Sequence, residues 1–257
     1  MTDLSAGSAA FSHLDLAALL YFILAWIAYG LSVGRLRGRM VSLSQIMNGH
    51  RANWARQVIG RDNRVVDTQI NASLQNGTAF FASTSLIALG SVLTLSRSGD
   101  DVLNLFATLP FGTAANRLTW ELKVARLALI FVYAFFKFAW AYRLFNYTAI
   151  LLGAVPPKGS GASDTEMLRA VRRLAAMNVS AGRHFARGQR AFFFALAYLG
   201  WFISPYVLFV STTAVVIIMW RRQFASEIRK ALLEAGEGPH EGPLEAPLLS
   251  PAEEART

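Results

Sequence analysis

One apolar stretch carries the residues with the best claim to chemistry. Glu121 stands just before the run 124–150, and Arg126, Tyr133 and Lys137 lie within it. Arg126 and Lys137 are eleven residues apart, so at 100° per residue they point within about 20° of each other on a helix. Tyr133 and Trp140 flank that line. A charge near the centre of a bilayer costs roughly 2.5–3.5 kcal/mol on insertion scales, so it usually faces a bundle interior or a water-filled path. The pattern therefore suits a polar seam for an anion, a lipid headgroup or a proton. Snorkelling is the competing reading. Lys137 is six residues from Arg143, about 9 Å along the axis, and its stem could approach the headgroups.

A second group lies in the basic segments: Arg61, Asp62, Arg64, Asp67 and His184. Two acids and a histidine in one place could support acid–base work. The blander alternative is a solvated helix end, with Arg64 and Asp67 spaced to pair on one helix face. No G-x-S-x-G, H-E-x-x-H, G-x-x-x-x-G-K-[ST] or G-x-G-x-x-G motif occurs. The four histidines lack metal-ligand spacing, and the chain has no cysteine. No catalytic, metal or cofactor residue is therefore expected, and an enzyme is the least favoured class.

The elements that must position these residues are written in the composition. Of 257 residues, 54% are apolar and only 16% charged, against about 25% charged in a soluble protein. Mean hydropathy is +0.36. A helix needs about 20 apolar residues to cross a bilayer. Segments at about 15–34, 78–96 and 191–220 are free of charge or nearly so, and 124–150 is interrupted by few charges. Four transmembrane helices are expected. The last is long for one crossing, and Ser204-Pro205 near its middle predicts a kink. Segment 102–116 is uncharged but short and holds Pro110, which fits an interfacial or re-entrant piece.

Charge then sets an expected orientation. Segments 35–77 and 156–190 each carry +5, segment 97–123 is neutral and the tail from Arg221 is −2. Two basic cytoplasmic loops, with both termini outside, fit that alternation. Arg221-Arg222 after the last span would by themselves pull that end inside. The first span has Asp3 and Asp15 before it and Arg35, Arg37 and Arg39 after it, so it reads as an uncleaved anchor rather than a signal peptide.

Ser163-Asp-Thr-Glu166 is a capping box. The helix it begins carries Met167, Val171, Leu174, Asn178, Ala181 and Phe185 on one side. That face either packs on its own protein or lies on an anionic membrane surface. Segment 61–69 should form the end of a helix that continues into the second span. The hydroxyls of that span (78, 83, 84, 85, 91 and 94) read as helix-packing glue or as a solute-binding face. A faint echo links Asn71-Ala-Ser…Gly77…Phe80-Phe-Ala with Asn178-Val-Ser…Gly188…Phe193-Phe-Ala; a parallel repeat or chance would produce it.

Several strings resemble a known family. They are Arg61-Asp-Asn-Arg-Val-Val-Asp67-Thr-Gln, Phe80-Phe-Ala-Ser-Thr84, Leu109-Pro-Phe111, Trp120-Glu-Leu-Lys123, Tyr133-Ala-Phe-Phe-Lys-Phe-Ala-Trp140, Asn146-Tyr-Thr-Ala-Ile-Leu-Leu-Gly-Ala154 and His184-Phe…Gly188-Gln-Arg-Ala…Ala197. In this order they resemble the bacterial and plant membrane proteins grouped as domain of unknown function 599. The resemblance implies an integral membrane protein of about four helices and implies no activity.

The expectation is an all-α polytopic membrane protein: a bundle of four transmembrane helices with cytoplasmic amphipathic helices. It forms a single domain over 1–235, followed by a disordered tail, 236–257. It sits multi-pass in a plasma or bacterial inner membrane, as a homo-oligomer, with the lipid bilayer and anionic headgroups as partners and no nucleic acid. A small channel or transporter using the Arg126/Lys137 seam leads. A structural or interaction protein binding anionic lipid or a cytoplasmic partner comes second, and an interfacial enzyme third.

Overall fold

The computed structural model describes residues 11–35, 41–97 and 117–234. Among them the regular structure is helical throughout: α1 (His13–Arg35), α2 (Leu43–Gln57) with a 3-10 turn Val58–Gly60, α3 (Val65–Arg97), α4 (Arg117–Gly153), α5 (Asp164–Tyr198), the one-turn α6 (Gly200–Ile203), α7 (Pro205–Phe224) and α8 (Glu227–Glu234). Four stretches are long and apolar enough to cross a membrane: His13–Val33, Val65–Arg97, Arg117–Gly153 and Pro205–Leu232. Their outward faces carry exposed Leu20, Ile27, Phe80, Ile87, Leu129, Phe136 and Val210. A soluble monomer rarely exposes such continuous apolar surface; lipid accepts it. The expectations assigned to 102–116 and 236–257 lie outside the described residues.

Antiparallel packing of α4 and α5 forms the spine. Leu152 meets Val171 and Leu174 at one end, Phe145 meets Ala181 further along, and Lys123 reaches Trp201, just beyond α5, at the other end. The register depends on Gly188. A Cβ there would lie 2.7 Å from the Phe138 ring, so only glycine lets the ring approach this backbone. On another side of α4 runs α3: Gln75 Nε2 donates to Asn146 Oδ1 at 2.7 Å, and Phe81 stacks on Phe138 at 5.3 Å. Hydroxyls of Thr78, Thr84, Ser85, Ser91 and Thr94 each donate to the carbonyl four residues back. Their polarity is thus met within α3 itself.

Both expected local starts are present. Ser163 and Glu166 form the capping box of α5, and Ser42 with Gln45 forms one at α2. The apolar face from Val171 through Ala181 is buried and packs on the protein's own α4 and α2.

The stretch 191–220 departs from expectation. Rather than one kinked helix, it is two helices joined by a reversal. Ser204 is extended (φ −164, ψ 161), its hydroxyl accepts from the Val207 N–H, and Pro205 is the first residue of α7. Proline suits a first helical position, where its missing N–H would have no intrahelical partner. Gly200 permits the turn, since a Cβ there would lie 2.7 Å from Ser211 Oγ and 3.0 Å from the Val207 carbonyl. Ser211 Oγ donates to the Ala197 carbonyl at 2.7 Å and closes the hairpin.

The reversal sets the direction of α7. Parallel to α1 runs α7: Tyr21 bonds Thr213 at 2.8 Å, and the Tyr29 hydroxyl donates to the Met219 carbonyl at 3.3 Å. Arg229 Nε, in α8, donates to the Val41 carbonyl at 2.7 Å. The expected arrangement separates the 35–77 segment from the residues after 220. The structure instead brings Val41 and Arg229 to the same end, because the chain turns back at Ser204 and α7 runs beside α1.

Candidate functional site

The helices α1, α4, α5 and α7 enclose an aromatic interior. Trp26 stacks on Phe194 at 5.0 Å, and Phe22 meets Trp26, Phe194 and Tyr198 edge-on. Polar groups gather at the two ends of this interior.

At the first end, charge is paired. Lys123, 5% exposed, places Nζ 3.6 Å from Asp15 Oδ1 and donates to the Trp201 carbonyl at 3.0 Å. Trp201 Nε1 donates to the same Asp15 oxygen at 2.7 Å, and Ser12 Oγ donates to the other at 2.7 Å. The Tyr198 hydroxyl donates to the Lys123 carbonyl at 3.2 Å. Three segments distant in sequence are tied by one pair whose polar atoms are satisfied, the condition under which buried charge is tolerated. Arg126 belongs to this end, over the rings of Phe11 (5.0 Å) and Trp201 (5.7 Å). Nearby, Glu121 pairs with Arg117 at 3.1 Å on the surface.

At the second end, cations gather over aromatic rings. Lys137 lies over Tyr133 at 5.1 Å, Arg190 over Tyr29 at 5.4 Å and Arg222 over Phe193 at 5.9 Å, within the range of cation–π attraction. Arg190 is close enough to Arg187, Tyr29 and Tyr133 to interact electrostatically. Lys137 and Arg187 both act on His184, and Arg222 acts on Tyr29. Arg190 abuts Gly30, where a Cβ would meet its Nη1 at 2.7 Å. Among the described residues, no carboxylate forms a salt bridge with Lys137, Arg187, Arg190 or Arg222. From Tyr133 an open groove of about 360 Å³ runs between α1 and α4, lined by Ile23, Trp26, Ile27, Leu129, Ile130 and Tyr133.

The seam residues are thus divided. Arg126 joins the Asp15 end, while Lys137 and Tyr133 join the Arg190 end, about 16 Å away along α4. Glu121 lies with neither cluster's buried core.

Beyond the Arg190 end, α3, α4 and α5 continue and α2 packs across them. Here lie most of the residues expected to cluster. Asp67, fully buried, pairs with Arg61 and accepts from Trp54 Nε1 at 2.7 Å. Arg64 does not pair with Asp67 as its spacing allowed. It precedes α3 and donates to the Val155 and Pro156 carbonyls at 2.6 and 2.7 Å, closing the carbonyl end of α4, where a cation is favoured. Asp62 lies 4.0 Å from Lys158 on the surface. His184 is elsewhere, against Trp140 at 6.3 Å, roughly 20 Å along α4 from the Arg64 contacts. Burial lowers the pKa of Arg51, whose guanidinium lies on Gly182 and donates to Asn48 Oδ1 at 3.2 Å. The cluster is a structural tie between α2 and α3, without the acid–histidine meeting that acid–base chemistry needs.

Sequence reasoning missed the Asp15–Lys123 pair. Its signal was a lone acid at the head of one apolar run and a lone lysine at the head of another. Arg187, Arg190 and Arg222 were visible only as charges that orient the chain.

Four helices long and apolar enough to cross a membrane, packed with α5 around an aromatic interior, define a helical multi-pass membrane protein. The chain belongs to the protein family of unknown function DUF599, whose family model matches residues 17–228. No curated protein and no solved structure matches it.

Proposed function

We propose that this protein works at the lipid boundary, engaging the anionic cytoplasmic leaflet with its Arg190 end. The carrying observation is the group Lys137, Arg190 and Arg222, set over aromatic rings, with Arg187 close to Arg190, and none of the four salt-bridged to a carboxylate among the described residues. Cations near an anionic surface each gain about 1 kcal/mol from it. The described parts of the two +5 segments and Arg221-Arg222 lie toward that end, and the positive-inside rule favours a cytoplasmic reading of it. The N-terminus is then outside and the C-terminus inside, in a plasma or bacterial inner membrane.

A channel or transporter draws less support. Its seam would have to join Arg126 to Lys137, and buried Phe194, Tyr198 and Trp201 fill the interior beside them. The test is thermal unfolding of the purified protein in neutral detergent with added phosphatidylglycerol or phosphatidylcholine. Phosphatidylglycerol should raise Tm more, and salt should erode the difference. Equal effects of the two lipids would overturn the reading. Ion flux from reconstituted vesicles would restore the transporter.

A further inference from the structure

The α1–α4 groove and the cations of the Arg190 end meet at one point. Tyr133 lines the groove and carries Lys137 on its ring. Arg190 interacts with Tyr133 and lies on Gly30, about one helical turn beyond Trp26 and Ile27 of the opposite wall. From that mouth the groove runs toward the Asp15 end along Tyr133, Ile130 and Leu129 on α4 and Ile27, Trp26 and Ile23 on α1. Its only polar side chains are therefore near the cations or, like Trp26, engaged with rings: Trp26 stacks on Phe194 and meets Tyr133 edge-on.

We infer that this is a seat for one anionic phospholipid, its phosphate held by Arg190, Lys137 and Arg187 and one acyl chain laid in the groove between α1 and α4. The inference rests on the proposed engagement of the anionic leaflet and narrows it to a single site. Charge complementarity selects the occupant. A guanidinium and an ammonium on adjacent helices, with no salt-bridged carboxylate among the described residues, match a phosphate diester. The apolar groove below has the direction an acyl chain takes from the interface into the bilayer. In lipid there is no hydrophobic force to draw α1 onto α4, so a chain in the gap supplies the missing packing contacts. The lipid acts as a strut that holds α1 to the spine at this end, as the Asp15–Lys123 pair holds it at the other.

Native mass spectrometry of the full chain, released from detergent with phosphatidylglycerol or phosphatidylcholine, counts retained lipids. One tightly retained phosphatidylglycerol is expected. Arg190→Gln and Lys137→Gln should each lower its occupancy about fivefold, the factor that ~1 kcal/mol per cation gives. Arg190→Lys and Lys137→Arg should lower it less. Leu129→Trp and Ile23→Trp fill the groove from opposite walls at exposed positions and leave the charges in place; both should also displace the lipid. Loss with the charge variants but not with either groove variant would overturn the seat, while engagement of the anionic leaflet would stand. Retention unaffected by any variant would do the same. No preference for phosphatidylglycerol in retention or in Tm would overturn both.

Discussion

The two ends of the bundle use the same materials to different effect. Both set cations over aromatic rings: Arg126 on Phe11 and Trp201 at one end, Lys137 on Tyr133 and Arg190 on Tyr29 at the other. Rings therefore do not distinguish them. The carboxylate does. Asp15 accepts from Trp201 and Ser12 and faces Lys123, so that end's central charge is balanced within the protein. The Arg190 end has no such acid among the described residues. A closed pair is a fastener, whereas carboxylate-free cations draw a counter-charge from their surroundings. The difference separates an end whose lysine has an internal acid from one whose cations have none among the described residues.

The broadest test of this asymmetry is all-or-none. Reporter fusions at residue 40 and at the C-terminus should both read cytoplasmic, since α8 lies against Val41. Reporters on opposite sides would break the comparison, because the cation-rich end would no longer be one face.

The next effect is energetic. Lys123→Ala leaves Asp15 without its ammonium partner, and breaking a buried pair costs about 3–5 kcal/mol. Thermal or denaturant unfolding in detergent should register a loss of that order. Asp15→Asn with Lys123→Met should cost less than the two single changes together, because neither charge is then stranded. Arg190→Gln should cost much less in neutral detergent. A Lys123→Ala loss no larger than that of Arg190→Gln would erase the distinction between the ends.

A smaller effect separates two lysines. Lys137→Met should remove part of the stabilisation given by phosphatidylglycerol, about 1 kcal/mol. Lys158→Met should leave it unchanged, because Lys158 is exposed and only 4.0 Å from the exposed Asp62, a pair worth little. Equal responses in lipid-dependent Tm would place Lys137 among ordinary surface cations.

Much of this architecture is legible in the residues. The first three apolar runs are helices, and Ser163 with Glu166 starts α5 where the capping box required. The reversal at 199–204 is hidden because lipid removes the usual mark of a turn. In water Leu199-Gly-Trp-Phe-Ile-Ser204 would be polar; at the rim of a bundle it stays apolar and Trp201 is buried. The excess length of 191–220 was the available clue, and Ser204-Pro205 was its resolution: a cap and a first helical residue rather than a mid-helix break. Ser204→Ala should cost about 1 kcal/mol, as lost N-caps do, and a neutral result would return Pro205 to a mere kink. The Asp15–Lys123 pair was hidden differently. Its partners lie on separate helices, and only the packing of α1 beside α4 and the α5–α7 hairpin brings them together.

The gentlest prediction concerns charge that is solved locally, far from either end. Glu166 is exposed, and hydrogen bonds from the Ser163 backbone and side chain hold its carboxyl below the usual 4.5. Because the folded value is depressed, ionised Glu166 contributes stability above the unfolded value, and that contribution is lost as pH falls through the folded one. Amide protection at the first turn of α5 should therefore be flat from neutrality down to the ordinary glutamate range and decline below it. Ser163→Ala removes the side-chain bond, lowers protection throughout and flattens the acid limb. The aromatic interior, which holds no part of this box, should keep its protection over the same interval. A parallel acid loss there would mean that the first turn of α5 and the bundle unfold as one unit, and that the extension and the membrane part are not separable in stability.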